Sequence, residues 1–289
     1  MARHKILRTY DAFRAEVRRG CYSPSVSDLI GELLTDSAKV LADCDRTEVV
    51  SKVGGKDYFA FQRQGRLSRA INQQLFCPDA GRWMQLRELM EGDALCRLGA
   101  HEITRTLYSI AISFCAAIDM IKDGDQKTPG TFFECFIAHF FTWRVGVQPT
   151  TSIQVLNVDD RKTFLPTDFV FNLGAGKQKF HLPIKTSTRE RSVMLWAHQR
   201  LLDGVYGIER FMGTPVLLAE TKMDKRSREV VEICLPDQWQ VYQAYIAKLK
   251  RVYYLDLPSA YGKLNQEFPP LRVKEFGEFF FEWSELVPS

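Results

Sequence analysis

Three adjoining segments decide how this chain folds: Phe164-Leu-Pro-Thr-Asp168-Phe-Val-Phe171, then Leu173-Gly-Ala-Gly-Lys177, then Phe180-His-Leu-Pro-Ile-Lys185-Thr-Ser-Thr-Arg189-Glu190-Arg191. Two apolar runs separated by a Gly-rich turn predict consecutive strands of a β-hairpin. Each run carries one charge among apolar neighbours, Asp168 in the first and Lys185 in the second. Paired strand ends can bring a carboxylate and an ammonium to one edge of a sheet, where a divalent metal and a scissile phosphate would fit. The carboxylate is a hard oxygen ligand suited to magnesium, and the lysine can stabilise a phosphorane or orient the attacking water. Structural ion pairs at strand ends give the same pattern, so the neighbouring sequence has to decide.

Beyond the lysine, Arg189-Glu190-Arg191 stands immediately before an apolar helix, Ser192-Val-Met-Leu-Trp-Ala-His-Gln-Arg-Leu-Leu202. Side chains at such a helix start project into solvent. Arginine pairs with the O6/N7 edge of guanine and glutamate accepts from cytosine N4, so the triplet suits the reading of G·C pairs at about 1–3 kcal/mol each. The plainer alternative is a solvated helix start whose charges pair with one another, worth under about 1 kcal/mol.

Outward from this stretch the period of the sequence changes. Residues 1–125 read as almost wholly helical, with three- and four-residue apolar steps in Val26–Leu41, Leu67–Leu75, Trp83–Leu98 and Ile103–Ile121, broken by a loop or small hairpin near Val53-Gly-Gly-Lys-Asp-Tyr-Phe-Ala-Phe61. The polar link Lys122–Gly130 opens a second region, residues 126–289. There a helix over Thr131–Arg144 precedes strands at Ser152–Val158, Phe164–Phe171 and Phe180–Lys185, a helix over Arg191–Leu202, strands at Pro215–Glu220 and Val230–Leu235, a helix over Gln238–Lys250 and a strand at Val252–Leu257. Strands alternating with amphipathic helices predict an α/β fold, a central mixed sheet flanked by helices, carrying a helical N-terminal lobe, residues 1–125, expected to serve dimerisation and DNA contacts, in one compact unit.

Composition narrows the function classes. The chain has 289 residues, 45% hydrophobic and 26% charged, with 39 Lys+Arg against 35 Asp+Glu, which excludes disordered and repeat-array proteins. No run reaches the roughly 18–20 uninterrupted apolar residues of a bilayer span, and the charged N-terminus lacks a secretory core, so a soluble, cytoplasmic protein without membrane attachment is expected. Seven cysteines, at 21, 44, 77, 96, 115, 135 and 234, form no C-x-x-C, so they read as reduced core thiols rather than zinc ligands. A net charge of +4 permits a polyanionic partner without requiring one.

The order Pro-Thr-Asp168, a strand ending in Lys185, then Arg189-Glu190-Arg191 resembles the PD-(D/E)XK core of type II restriction endonucleases, in the CCGG and CC/GG-reading group that includes EcoRII and PspGI. The resemblance spans roughly Thr131 to Leu257 and is most specific in the spacing from the lysine to the Arg-Glu-Arg triplet. It implies a homodimeric nuclease acting with Mg²⁺ on double-stranded DNA, with Asp168 and Lys185 catalytic and Arg189, Glu190 and Arg191 reading bases. It also implies Gln126 and Lys127 as contacts to outer bases, and a cognate DNA methyltransferase in the same system that is not a physical partner.

The sequence departs from that pattern twice. The group's Ser-x-Lys reads Pro183-Ile184-Lys185, and the place of its displaced metal-binding glutamate holds His198 or Gln199. The expected substitute is Glu134, on the helix before the catalytic strands, which makes Asp168 and Glu134 the metal ligands, with His198 beside them. Thr131-x-x-Glu134 also reads as a capping box, in which Glu134 would merely satisfy free helix N–H groups.

A rival assignment, Glu220-Thr-Lys222 with Asp203 before it, ranks second, because Asp203 ends a helix, nothing after Lys222 resembles a base-reading element, and Lys222–Glu229 reads as a charged hairpin turn. His139 and His181 read as core or edge histidines, and Trp239, Tyr242, Tyr245, Ile246 and Leu249 as a packing stripe. Tyr58, Phe59 and Phe61 could stack on an extruded base, with aromatic core the safer reading. Two other functions remain open: a catalytically inactive sequence-specific DNA-binding protein on the same fold, and an α/β enzyme of a small metabolite.

Overall fold

The computed structural model describes residues 2–158 and 161–287, the side chains at 2, 156–158, 161 and 190 excepted. The N-terminal region opens with two packed helices, α1 (Ala2–Arg19) and α2 (Pro24–Ala42). Ser23 caps α2 by accepting from Val26 N at 3.2 Å, with Pro24 in the first turn, where its missing N–H costs nothing.

Residues 45–72 hold more strand than the loop or small hairpin expected near Val53–Phe61. They form strands β1 (Asp45–Glu48), β2 (Val50–Ser51), β3 (Tyr58–Arg63), β4 (Arg66–Leu67) and β5 (Ile71–Asn72), so the helix expected over Leu67–Leu75 does not exist. The two-residue turn Gln64-Gly65, with φ of 49° and 77°, matches the twist of a tight hairpin and pairs Arg63 with Arg66, and this local closure overrides the apolar period. Helices α3 (Ala80–Glu91) and α4 (Ala100–Ile121) follow. By length and composition α4 could cross a membrane, yet most of its apolar stretch is buried inside the molecule, where it serves the core.

Helix α5 (Lys127–Val145) begins four residues before its expected start, because Asp125 accepts from both Thr128 N (2.9 Å) and Thr128 Oγ1 (2.7 Å). Thr131 and Glu134 therefore sit inside the helix and form no capping box. Next come β6 (Thr150–Val158), β7 (Arg161–Asn172), β8 (Lys179–Leu182), β9 (Ile184–Lys185), α6 (Val193–Tyr206), β10 (Phe211–Gly213) and β11 (Val216–Leu217). The hairpin β12 (Thr221–Met223) and β13 (Glu229–Glu232) matches the expected charged turn. The chain continues through α7 (Pro236–Tyr245), β14 (Val252–Tyr254), α8 (Ser259–Glu267), β15 (Val273–Glu275) and α9 (Trp283–Leu286). Helix α7 ends before its expected limit because the Gln243 side chain binds both N and O of Leu249 at 3.0 Å, holding residues 246–249 in a turn.

The central sheet runs β6, β7, β8/β9, β10/β11, β14, β15. Its first half is antiparallel (β6 to β7 to β8), and its second half is parallel (β9 to β11 to β14 to β15). Pro183 has no N–H, so it splits the expected strand Phe180–Lys185 into β8 and β9; Thr214 N and Val216 N still bond to His181 O and Pro183 O, both at 2.9 Å. Alternation along the strands divides the core. Val216 and Tyr253 join the cluster that includes Phe136, Phe141 and Phe279, whereas Leu217 and Tyr254 join Trp196 on α6 and Trp239 on α7. The first cluster runs from Ile6 to Leu286 and contains both the N-terminal helices and the sheet.

Candidate active site

Asp168 lies on β7 one residue before Phe169, where pairing with β8 begins. Its Oδ2 accepts from Ile184 N at 2.7 Å, so a side chain takes over as partner just past the proline that interrupts the ladder. The same oxygen accepts from Lys185 Nζ at 2.7 Å, and Glu134 Oε1 on α5 approaches that ammonium to 3.9 Å. A strand, its neighbour and the helix packed against them thus bring two carboxylates to one half-exposed lysine, with Asp168 and Lys185 meeting where Pro183 interrupts the ladder.

The electrostatics follow from this crowding. Burial, and secondarily the Asp168 charge, push the Glu134 carboxyl up to about 7 against the opposing pull of Lys185. His198 on α6 is half-buried, its ring 6.1 Å from that of His181; burial lowers its pKa, while Asp168 raises it and Lys185 lowers it. Gln199 points elsewhere: its Nε2 donates to Asp203 Oδ1 (2.8 Å) and Phe211 O (3.0 Å) in the interior. Of the two residues at the displaced-glutamate place, His198 is the one that faces the charges.

Asp168 and Glu134 bring hard oxygen donors to one place beside Lys185, a donor set that fits a magnesium ion completing its octahedron with water. No third metal-binding side chain joins them among the described residues.

Four residues beyond Lys185 the chain makes a 3-10 turn, Arg189–Arg191, that leads into α6. Arg189 and Arg191 are exposed, while Thr188 and Ser192 on either side are buried; the Glu190 side chain lies outside the described residues. Arg189 has φ of 47°, a left-handed conformation that a non-glycine residue holds only where its surroundings impose it. Glu220, 1% exposed, imposes it. Its Oε1 accepts from Thr188 N (3.0 Å), Thr188 Oγ1 (2.6 Å) and Tyr254 OH (3.1 Å), and its Oε2 accepts from Ser187 Oγ (2.8 Å) and Arg189 N (3.0 Å). Sequence reasoning missed this role. The available signal was a lone carboxylate closing an apolar strand, which is tolerated in a core only when fully bonded.

The rival triad is not assembled. Glu220 has both oxygens engaged beneath the turn, Asp203 accepts from Gln199, and Lys222 stands exposed on the β12–β13 hairpin. Gln126 and Lys127 are exposed at the start of α5, and Gln126 shares a cleft of about 310 Å³ with Arg189. His139 and His181 are fully buried, and burial pushes them down to about 4 and about 3, so both are neutral structural groups. Tyr58 and Phe59 are core, with Arg46 stacked 3.7 Å over Phe59, so neither ring is free to hold a base. The expected packing stripe holds at Trp239, 3.8 Å from Tyr261, but Tyr245 is 84% exposed.

The mixed sheet and its flanking helices have the architecture of a restriction-endonuclease fold. The structure superposes on the Type IIP restriction endonuclease Kpn2I with a TM-score of 0.81 over 100% of both chains, at 22% sequence identity. A second match, the restriction endonuclease PspGI–substrate DNA complex, has a TM-score of 0.44 and 12% identity over 70% of this chain and 89% of that one, too low to equate the two folds. No family model matches the chain, and no curated protein matches its sequence.

Proposed function

We propose that this chain is a magnesium-dependent type II restriction endonuclease, acting as a homodimer on a short palindrome with CC and GG blocks, of CCGG or CCNGG type. The convergence of Asp168 and Glu134 on Lys185, beside two exposed arginines, carries the reading. Asp168 and Glu134 would hold Mg²⁺, which when bound supplies positive charge at the scissile phosphate. Lys185 orients water for in-line attack and offsets charge on the phosphorane, leaving a 5′-phosphate. His198, neutral and half-buried, takes the place of a second metal-binding carboxylate and holds solvent at the edge of the site. Arg189, Glu190 and Arg191 read the G·C pairs, with Gln126 and Lys127 outside them.

A two-fold site is cut most simply by a two-fold protein. Helix α6 starts two residues after the reading turn and exposes Met194, Leu201 and Val205, with Ile208 beyond its end and Val241 and Tyr245 on the adjacent α7. We assign this apolar face to the second copy. Plasmid cleavage with Mg²⁺ by the parent protein and by Lys185→Ala tests the activity, and sequencing the cut ends gives the site. Arg191→Ala should erase discrimination at G·C pairs; unchanged cutting at the same sites would remove the triplet from the reading element. The absence of a carboxylate at 198 or 199 favours a second reading, a catalytically inactive DNA-binding protein, which requires that the parent nick nothing in any divalent metal.

A further inference from the structure

The cleft that Gln126 and Arg189 line is also lined by Lys222 and Lys225 of the β12–β13 hairpin. It opens one residue past the catalytic lysine, its floor made by Thr186 and Ser187 after β9 and by Leu218 and Ala219 after β11, the carboxyl ends of two parallel strands, where α/β sheets bind their ligands. Its charge is unbalanced. Arg69 and Asp119 neutralise each other at 2.8 Å, which leaves Arg189, Lys222 and Lys225 against Asp123 among the lining residues and the buried Glu220 beneath the turn. Among the described residues none of these three cations has an ion-pair partner. A cleft lined by more cations than anions attracts a polyanion.

The hairpin is also rigidly mounted. Strand β13 pairs with β2, Val230 is buried with Tyr58 and Ala70, and Glu232 Oε1 accepts from Lys56 Nζ at 2.7 Å; that ammonium also reaches Asp256 at 2.6 Å and Leu257 O at 2.8 Å. At the exposed tip Asp224 Oδ1 accepts from Arg226 N (2.7 Å) and Ser227 N (2.9 Å). A basic hairpin held this firmly loses little conformational entropy on meeting a ligand.

We propose that the β12–β13 hairpin is a second DNA-reading arm, whose Lys222 and Lys225 act across the cleft from Gln126 and contact the base pairs flanking those read by Arg189–Arg191. This rests on the nuclease reading and extends it. The arm enters a groove beside the reading turn, one lysine neutralising backbone phosphate and the other within reach of guanine or thymine acceptors at the site's edge.

The test compares the parent with Lys222→Ala/Lys225→Ala in two measurements. The first is cleavage of a duplex pool randomised around the site, with the ends sequenced. The second is retention of a cognate duplex with Ca²⁺ in place of Mg²⁺ across a salt series. The double variant should keep its G·C dependence and its thermal midpoint, lose about tenfold of its preference at the flanking pairs, and show a shallower log–log salt slope, by about one. A parent pool with no flanking preference overturns the arm, as does a variant with the parent's preference, whether or not its salt slope has changed. A parent that retains and cuts no DNA overturns the nuclease reading itself, so the two failures are distinguishable.

Discussion

Glu220→Gln tests whether a buried carboxylate holds the reading turn in place. The substitution keeps volume and changes one oxygen to an amide nitrogen, so a donor meets donors. With the nitrogen at Oε2, the Ser187 hydroxyl can rotate to accept, but the Arg189 N–H, now 3.0 Å from an acceptor, loses its partner inside the protein. One orphaned buried donor costs about 1–3 kcal/mol, and the bonds at Oε1 lose the strengthening that a charged acceptor gives. The sum is roughly 3 kcal/mol, which for a chain of this size lowers the melting midpoint by roughly 6–12 °C. Release of Arg189 from its left-handed conformation should also blur the cut-site profile at G·C pairs more than it slows cleavage of the preferred site. Calorimetry and sequencing of digested ends read the two effects. A midpoint and a profile both equal to the parent's would refute the clamp.

The raised Glu134 carboxyl fixes a pH dependence: below about 7 the folded protein holds a proton there that a cation must displace, so Ca²⁺ affinity should rise up to about that pH and level off above it. Calorimetric titration about one unit below that value, in buffers of different ionisation enthalpy, should show proton release that Glu134→Gln removes; no release in the parent would contradict the assignment. Without a cation the sign is opposite, because between the ordinary 4.5 and about 7 the folded state binds a proton that the unfolded chain has lost, so thermal stability should decline as pH rises through that window. Gly277→Ala would place a methyl 1.8 Å from Ala100 O, where Gly277 N bonds Thr104 Oγ1 at 2.8 Å, and should cost about 1–3 kcal/mol in a denaturant melt; a neutral result would mean that this junction yields freely. Leu201→Asp with Tyr245→Asp alters residues 49% and 84% exposed, so it should leave the monomer's melt intact and shift sedimentation from dimer to monomer; a persistent dimer would place the two-fold face elsewhere.

The amino-acid order alone determined the mixed α/β class, the antiparallel entry through β7 and β8, and the Asp168–Lys185 pair, because strand periodicity, the Gly-rich turn and one charge in each apolar run are all local signals. It also placed Glu134 near that pair through a likeness to known nucleases, while the local reading of the same residue as part of a capping box failed because the helix starts four residues earlier, with Asp125 bonded to Thr128. Tertiary structure decided the rest. Arg66–Leu67 and Ile71–Asn72 became strands because a two-residue turn and pairing with β3 outweighed the helical period expected over Leu67–Leu75. His198 rather than Gln199 faces the charges because the rotation of α6 is set by Trp196 packing on Trp239. Glu220 became a clamp, and the β12–β13 hairpin a cleft wall, because strands distant in sequence end side by side in the parallel half of the sheet. Contacts between remote segments depend on how whole layers dock, and no window along the chain encodes that docking.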